Sequence, residues 1–177
     1  MTLIVRDSLD ADLPAITAIY THAVRTGTAS FEYDAPDVAE MAHRRADVLS
    51  KGFPYLVAEQ DGIVAGYTYA STYRVRPAYR FSVEDSIYIA PDRQSRGVGG
   101  ALLPALLQRC EALDLRLVIA VIGDTATLAS IRLHARCGFT HAGVLPNVGW
   151  KHGSWLDSVF MVRALGPGAN TPPAEAA

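Results

Sequence analysis

The stretch Gln94-Ser95-Arg96-Gly97-Val98-Gly99-Gly100 runs directly into a long apolar helical pattern. It follows the alternating segment Ser86-Ile87-Tyr88-Ile89, which stops at Ala90-Pro91. Strand, glycine turn and helix N-terminus together form an anion cradle. First-turn N–H groups have no acceptor within the helix, and the helix dipole adds partial positive charge. Gly97, Gly99 and Gly100 would let the backbone approach a pyrophosphate without a Cβ in the way, and Arg93 and Arg96 add charge beside it. The chemistry implied is the binding of a nucleotide-like cofactor. No Gly-Lys-Ser/Thr is present, which excludes a Walker loop. The mid-chain position and the order Q-x-x-G-x-G-G also differ from a dinucleotide fingerprint. Read alone, the same residues make a tight turn before a helix.

Three titratable residues lie in elements that flank this turn. Glu84 stands in an otherwise apolar and hydroxylic strand, where partial desolvation raises a carboxyl pKa toward the range of a general base. Asp85 is its neighbour, and strand alternation sends the two to opposite faces, so at most one faces a given site. His134 falls on a later helix, four residues before Gly138. A histidine there either moves a proton near neutral pH or caps the negative end of its helix.

These residues are positioned by a regular succession of elements. Leu3 to Arg6 reads as a strand. Leu13, Ile16, Ile19, Tyr20, Ala23 and Val24 recur at helical spacing before Gly27, and Asp37 to Leu49 reads as a second helix. Tyr55 to Gln60 and Ile63 to Ser71 flank Asp61-Gly62, a hairpin signal. A polar loop over 73–80 carries Arg74, Arg76 and Arg80, and Ser82 to Ile89 is the next strand. Gly99 to Leu113 is helical, Leu117 to Ile122 is an apolar strand covered on both faces, and Thr127 to Cys137 is a short helix. Val144 and Phe160 to Val162 mark the last two strands. The order β-α-α-β-β-β-α-β-α-β-β predicts an α/β (α+β) fold with a mixed sheet and helices on both faces, ligand at the C-terminal strand edge. Residues 1–165 form one domain, and the Pro-, Gly- and Ala-rich tail 166–177 is expected to be disordered.

Composition narrows the class. The chain has 177 residues, enough for one well-filled core, and a formal net charge of −2 that gives no reason to expect nucleic acid or an anionic membrane as partner. No apolar run reaches membrane-spanning length, and the N-terminus lacks a signal-peptide pattern. Cys110 and Cys137, both in helical patterns, suit a reducing cytoplasm.

Four stretches carry a family resemblance: Thr28-Ala29-Ser30-Phe31-Glu32, Ala78 through Ile89, Gln94 through Gly100, and Trp150-Lys151-His152-Gly153-Ser154-Trp155. A fifth, Ala120-Val121-Ile122-Gly123 followed by Arg132-Leu133-His134 and Gly138-Phe139, lies in the matching place. Over nearly the whole chain to about residue 163, the sequence resembles the phosphinothricin acetyltransferase branch of the GNAT superfamily. The resemblance implies a mostly antiparallel GNAT sheet and acetyl-CoA as acyl donor. It also implies a small amino-acid-like amine as acceptor, phosphinothricin, methionine sulfone or methionine sulfoximine being the branch's examples, and a homodimer. It selects Glu84 as base and His134 as proton donor to the departing thiolate. It assigns the cofactor to Ile87, Tyr88, Ile89 and Gln94 to Gly100, that is Gln94, Ser95, Arg96, Gly97, Val98, Gly99 and Gly100. The family's usual Asn before the last helix is absent, and Thr127 is expected to serve there as N-cap and donor.

On the acceptor side, Phe31, Tyr79, Phe81 and Trp155 are candidates for aromatic walls. Arg74, Arg76 and Arg80 together favour an anionic or zwitterionic acceptor, although any one of them also reads as solvated loop charge. His152 belongs to the Lys-His-Gly-x-Trp motif, which is expected to form a lid loop over a small pocket.

Overall fold

The computed structural model describes residues 2–173, and its elements follow from local chemistry. Strand β1 (Leu3–Asp7) leads into helix α1 (Leu13–Thr26), whose Pro14 sits in the first turn, where no backbone N–H is needed. Ile16, Ile19, Tyr20 and Val24 form its buried stripe. Helix α2 (Val38–Ser50) is capped by Asp37, whose Oδ1 accepts from Glu40 N–H at 2.8 Å. Strands β2 (Tyr55–Gln60) and β3 (Ile63–Thr72) join through Asp61-Gly62, both at positive φ as a two-residue hairpin of matching twist requires. Then come β4 (Ser82–Ile89), α3 (Val98–Ala112), β5 (Leu117–Gly123), α4 (Leu128–Arg136), β6 (Thr140–Lys151) and β7 (Ser154–Ala164).

The element order is the one read from the sequence. The strands make one sheet in the order β1-β2-β3-β4-β5-β7-β6, and β4–β5 is its parallel pair. Helices α1 and α2 cover one face over a core that includes Tyr20, Tyr55, Tyr67, Val24 and Met41. Helix α3 covers the other over an aliphatic core with Leu102, Leu103, Leu106, Val83 and Val118, and α4 packs beside it against β5.

Two features differ from the sequence reading. Strand β6 is 12 residues long, where only Val144 stood out. Gly143, Pro146, Asn147 and Gly149 interrupt its alternation, and the pairing with β7 is irregular at His141/Gly143 and Leu145/Gly149. The Trp150-to-Trp155 motif is no lid loop. It is the tip of the β6–β7 hairpin, turned by His152 and Gly153 at positive φ, with Trp150 paired across to Trp155. The tail expected to lack structure is described as far as Pro173. It runs in turns beside Arg116, which donates to Gly168 O, Thr171 Oγ1 and Pro172 O. Residues 174–177 of that tail lie outside the described residues.

Candidate active site

The parallel pairing of β4 and β5 covers only Ser82–Asp85 against Leu117–Ala120. Beyond it the strands part, and residues 86–89 keep β3 as their neighbour on one side only. Ala90 N–H donates to Ala65 O, so alternation turns the peptide groups of Ile87 and Ile89 toward the open side. A groove of about 630 Å³ starts there. It runs past Ile87, Tyr88 and Ile89 to Gln94, Ser95, Gly97 and the start of α3. The first intrahelical bond of α3 closes at Ala101 N–H on Gly97 O, which leaves the preceding N–H groups free at the groove. Gly97 adopts φ +85°, a left-handed turn that favours glycine. The groove therefore offers backbone donors, a helix N-terminus, and Arg93, Arg132 and Arg136 in its lining, a donor set suited to an extended phosphorylated ligand.

At the inner end a smaller cavity of about 160 Å³ fills the gap between β4 and β5. Glu84, Asp85, Ser86, Gly123, Ser130 and His134 line it. Glu84 is half-buried and accepts no hydrogen bond among the described residues. Burial, with the Asp85 charge second, raises its pKa. Asp85, on the other face, is 5% exposed, and its Oδ2 lies 3.0 Å from His134 Nε2. His134 Nδ1 lies 2.8 Å from Ser130 O, and Phe139 stands edge-on to the ring. Burial opposes the imidazolium, but Asp85 and the Ser130 carbonyl outweigh it, so the His134 pKa is raised.

The segment between α1 and α2 straps this region. Lys151, 3% exposed, donates from Nζ to Gly27 O at 3.1 Å and to Ser30 O at 2.5 Å, and His152 Nε2 lies 3.2 Å from Gly27 O. The ring of Phe31 fills the space that a Cβ on Gly149 would need, and a Cβ on Gly123 would stand 2.9 Å from it. Glu32 accepts from Tyr20 Oη at 2.9 Å and from Arg44 Nη1 at 2.6 Å.

Residues 16–139 match the model of the acetyltransferase (GNAT) family. The chain belongs to the GNAT acetyltransferase family. It is an N-acetyltransferase, and acetyl-CoA is its acyl donor. It is 57% identical over 169 residues to a phosphinothricin N-acetyltransferase of Alcaligenes faecalis, covering 96% of this chain and 86% of the relative. It is 38% identical to the L-methionine sulfoximine/L-methionine sulfone acetyltransferase of Pseudomonas aeruginosa, covering 97% of this chain and all of the relative. The fold superposes with a TM-score of 0.95 on a crystal structure of a GNAT superfamily phosphinothricin acetyltransferase from Sinorhizobium meliloti in complex with AcCoA. The two share 48% identity over 99% of this chain and 95% of the other.

Within this GNAT domain most residues expected to hold the cofactor come together. Ile87, Tyr88, Ile89, Gln94, Ser95, Gly97, Val98, Gly99, Gly100 and Thr127 all line the groove, whereas Arg96 does not. Gly99 has a further reason beside the one expected. A Cβ there would stand 2.9 Å from Leu133 Cδ2, so the glycine also serves the packing of α3 on α4. Thr127 occupies the N-cap position of α4 without capping it, because its Oγ1 donates to Gly123 O at 2.7 Å.

The acceptor candidates are divided. Phe31 packs against Gly123 and Gly149. Arg74, Tyr79, Arg80 and Phe81 lie at the N-terminal end of β4. There Arg74 stacks over Tyr73, Tyr79 meets Tyr73 edge-on, and Arg80 lies over Phe81. Trp155 is 61% exposed on the β6–β7 hairpin against Trp150.

Sequence reasoning missed Asp85 as a buried partner, Lys151 as the buried cation under the strap, and the α1 side of the groove at His22, Ala23 and Thr26. The first had a signal. Asp85 shares strand parity with Val83 and Ile87, which placed a carboxylate on the face covered by apolar α3.

Proposed function

We propose that this GNAT enzyme acetylates the free amino group of a small amino-acid-like compound of the phosphinothricin, methionine sulfone or methionine sulfoximine type, by direct transfer in a ternary complex. The observation that carries the reading is Glu84: a half-buried carboxylate without a hydrogen-bond partner among the described residues, its pKa raised, at the inner end of the acetyl-CoA groove. An ammonium has no lone pair, and in this reading Glu84 takes the proton that must leave the acceptor nitrogen. Acetyl-CoA supplies the activated acetyl group. The Ile87 and Ile89 peptide groups hold its pantetheine arm as an added strand, and the Ile87 N–H polarises the acetyl carbonyl. The small cavity and the strap pinned over it by Lys151 favour a compact acceptor over a protein N-terminus or lysine.

Cys137 supports direct transfer. It closes α4, where the helix dipole opposes a thiolate, and burial raises its pKa. Cys137→Ala therefore retains most activity, and acetyl-CoA alone leaves no acetylated protein in mass spectra.

The same reading takes residues 1–165 as one acetyltransferase domain and the protein as a homodimer. Strand β6 is one of the two sheet edges, and Val144, Leu145, Val148 and Trp150 are exposed along its 12 residues, a surface that strand pairing or packing would cover. Free Cys110 and Cys137 suit a cytoplasmic enzyme. Among the described residues no helix is long and apolar enough to cross a membrane. The deciding experiment is a thiol-release assay with acetyl-CoA and a panel of amines. Turnover of amino-acid analogues with no turnover of peptides is expected, and the reverse overturns the assignment.

A further inference from the structure

The acetyl-CoA groove and the inner cavity share five lining residues: Ile87 and Tyr88 of β4, Ala29 of the strap, and Thr127 and Ser130 at the start of α4. These residues border the passage from one to the other. A closed circuit of contacts runs round it. Tyr88 meets Tyr20 of α1 edge-on, with ring centroids 5.0 Å apart. Tyr20 Oη gives its hydrogen to Glu32, so Ser30 Oγ, 3.0 Å away, donates to Tyr20. Two residues back along the strap, Thr28 Oγ1 lies 3.4 Å from Thr127 Oγ1. Thr127 gives its own hydrogen to Gly123 O, so Thr28 is the donor. Helix α4 then runs to His134, whose Nε2 lies 3.0 Å from Asp85 Oδ2 and brings the circuit back to β4.

The strap is the side of this circuit that has neither helix nor strand to stiffen it. What fixes it comes from the β6–β7 hairpin. Lys151 Nζ donates to Gly27 O and Ser30 O, the two carbonyls that bracket Thr28 and Ala29. Lys151 is 3% exposed, and a buried ammonium is stable only while acceptors stay on it, so the strap is held in one position. Gly123 completes the closure. A Cβ there would stand 2.1 Å from Thr28 O, so the strap rests directly on the end of β5.

We propose that the strap closes a ring around the thioester end of bound acetyl-CoA, and that Lys151 is the positioning residue that keeps the ring closed. The proposal rests on the placement of acetyl-CoA in the groove given above. The pantetheine arm reaches the inner cavity through the ring, so it enters and leaves end-on, whereas an open groove admits it sideways. The closed ring confines the thioester beside Glu84, and it slows exchange of the cofactor in both directions.

Lys151→Met tests this, because it keeps the length of the stem and removes the ammonium. Stopped-flow exchange of acetyl-CoA is expected to show on-rate and off-rate both raised about tenfold, with the calorimetric Kd nearly unchanged, since one barrier serves entry and exit. Loss of an ordinary contact raises the off-rate alone. That result, or wild-type rates in both directions, overturns the proposal. Thr28→Val keeps the shape of the strap and removes only its bond to Thr127, so it tests the ring even where Lys151→Met does not fold. Both rates are expected to rise about threefold in Thr28→Val and to stay at wild type in Thr28→Ser, which retains the hydroxyl. Wild-type rates in Thr28→Val overturn the ring. Gly100→Asp checks the groove itself. Gly100 lines it at the first turn of α3 with open space around a Cβ, so a carboxylate fits there and opposes an anionic ligand. Acetyl-CoA affinity is expected to fall about tenfold. Undiminished affinity refutes the groove placement and the ring with it, whereas reduced affinity beside wild-type rates in Lys151→Met refutes the ring alone.

Discussion

The two faces of strand β4 carry adjacent carboxylates in opposite circumstances. On the α1/α2 face Glu84 stands among tyrosines and serines, half-buried and without a hydrogen bond among the described residues. On the α3/α4 face Asp85 stands among aliphatic side chains, enclosed and bonded to His134. The first face leaves a group short of partners and therefore available for a substrate. The second consumes its groups in one another and is therefore rigid. One residue of register separates a chemically available carboxylate from a structural one, and the parting of β4 from β5 is what lets both reach the same cavity.

The largest way to break this contrast is Asp85→Ala. It strands a buried imidazole and should cost about 3–5 kcal/mol of folding stability, read by denaturant unfolding. The pH dependence follows from the raised His134 pKa. A histidine whose pKa rises on folding contributes stability that is complete below its unfolded value, about 6.5. That contribution is lost as pH rises through the folded value. Wild type should therefore lose stability with rising pH in that window, and Asp85→Ala should not.

Glu84→Gln should behave in the opposite way. Its kcat/KM for an amine falls about a hundredfold or more, roughly 2.7 kcal/mol of barrier, while acetyl-CoA affinity holds. Because folding raises the Glu84 pKa, the charged carboxylate weakens the folded state above the unfolded pKa of about 4.3. The glutamine variant should therefore melt no lower than wild type at neutral pH. A variant that melts clearly lower would mean that Glu84 is held by contacts after all.

Two glycines sharpen the comparison at smaller cost. Gly149→Ala drives a methyl into the Phe31 ring on the strapped side. Overpacking of that kind costs about 1–3 kcal/mol, and the KM for the acceptor should rise without change in acetyl-CoA binding. Gly99→Ala presses on the end of Leu133 between α3 and α4. A flexible leucine tip can yield, so the loss should be nearer about 1 kcal/mol, with acceptor KM unchanged. Equal effects of the two on acceptor KM would remove the functional distinction between the faces.

What the sequence by itself determined was whatever depends on neighbours along the chain. Period-2 and period-3.6 patterns, the Asp61-Gly62 turn and the Gly97 turn placed every strand and helix in order, because these signals act within a few residues. The cofactor turn was legible for the same reason, since strand, turn and helix N-terminus are contiguous. The extent of strand β6 was not, because its bulges break alternation, and a bulge is stabilised by the neighbouring strand rather than by its own residues. Alternation separated Glu84 from Asp85 but could not say which face was closed. That required α3 and α4 to be seen packed on one side and the strap on the other.

The tertiary structure alone decided the long-range pairings: Asp85 with His134, Lys151 with the carbonyls of Gly27 and Ser30, and Phe31 with Gly123 and Gly149. The physical reason is that burial and partner choice are properties of the packed sheet. A charged residue's own neighbours in sequence do not reveal whether water, a carbonyl or an opposite charge will meet it when the chain closes.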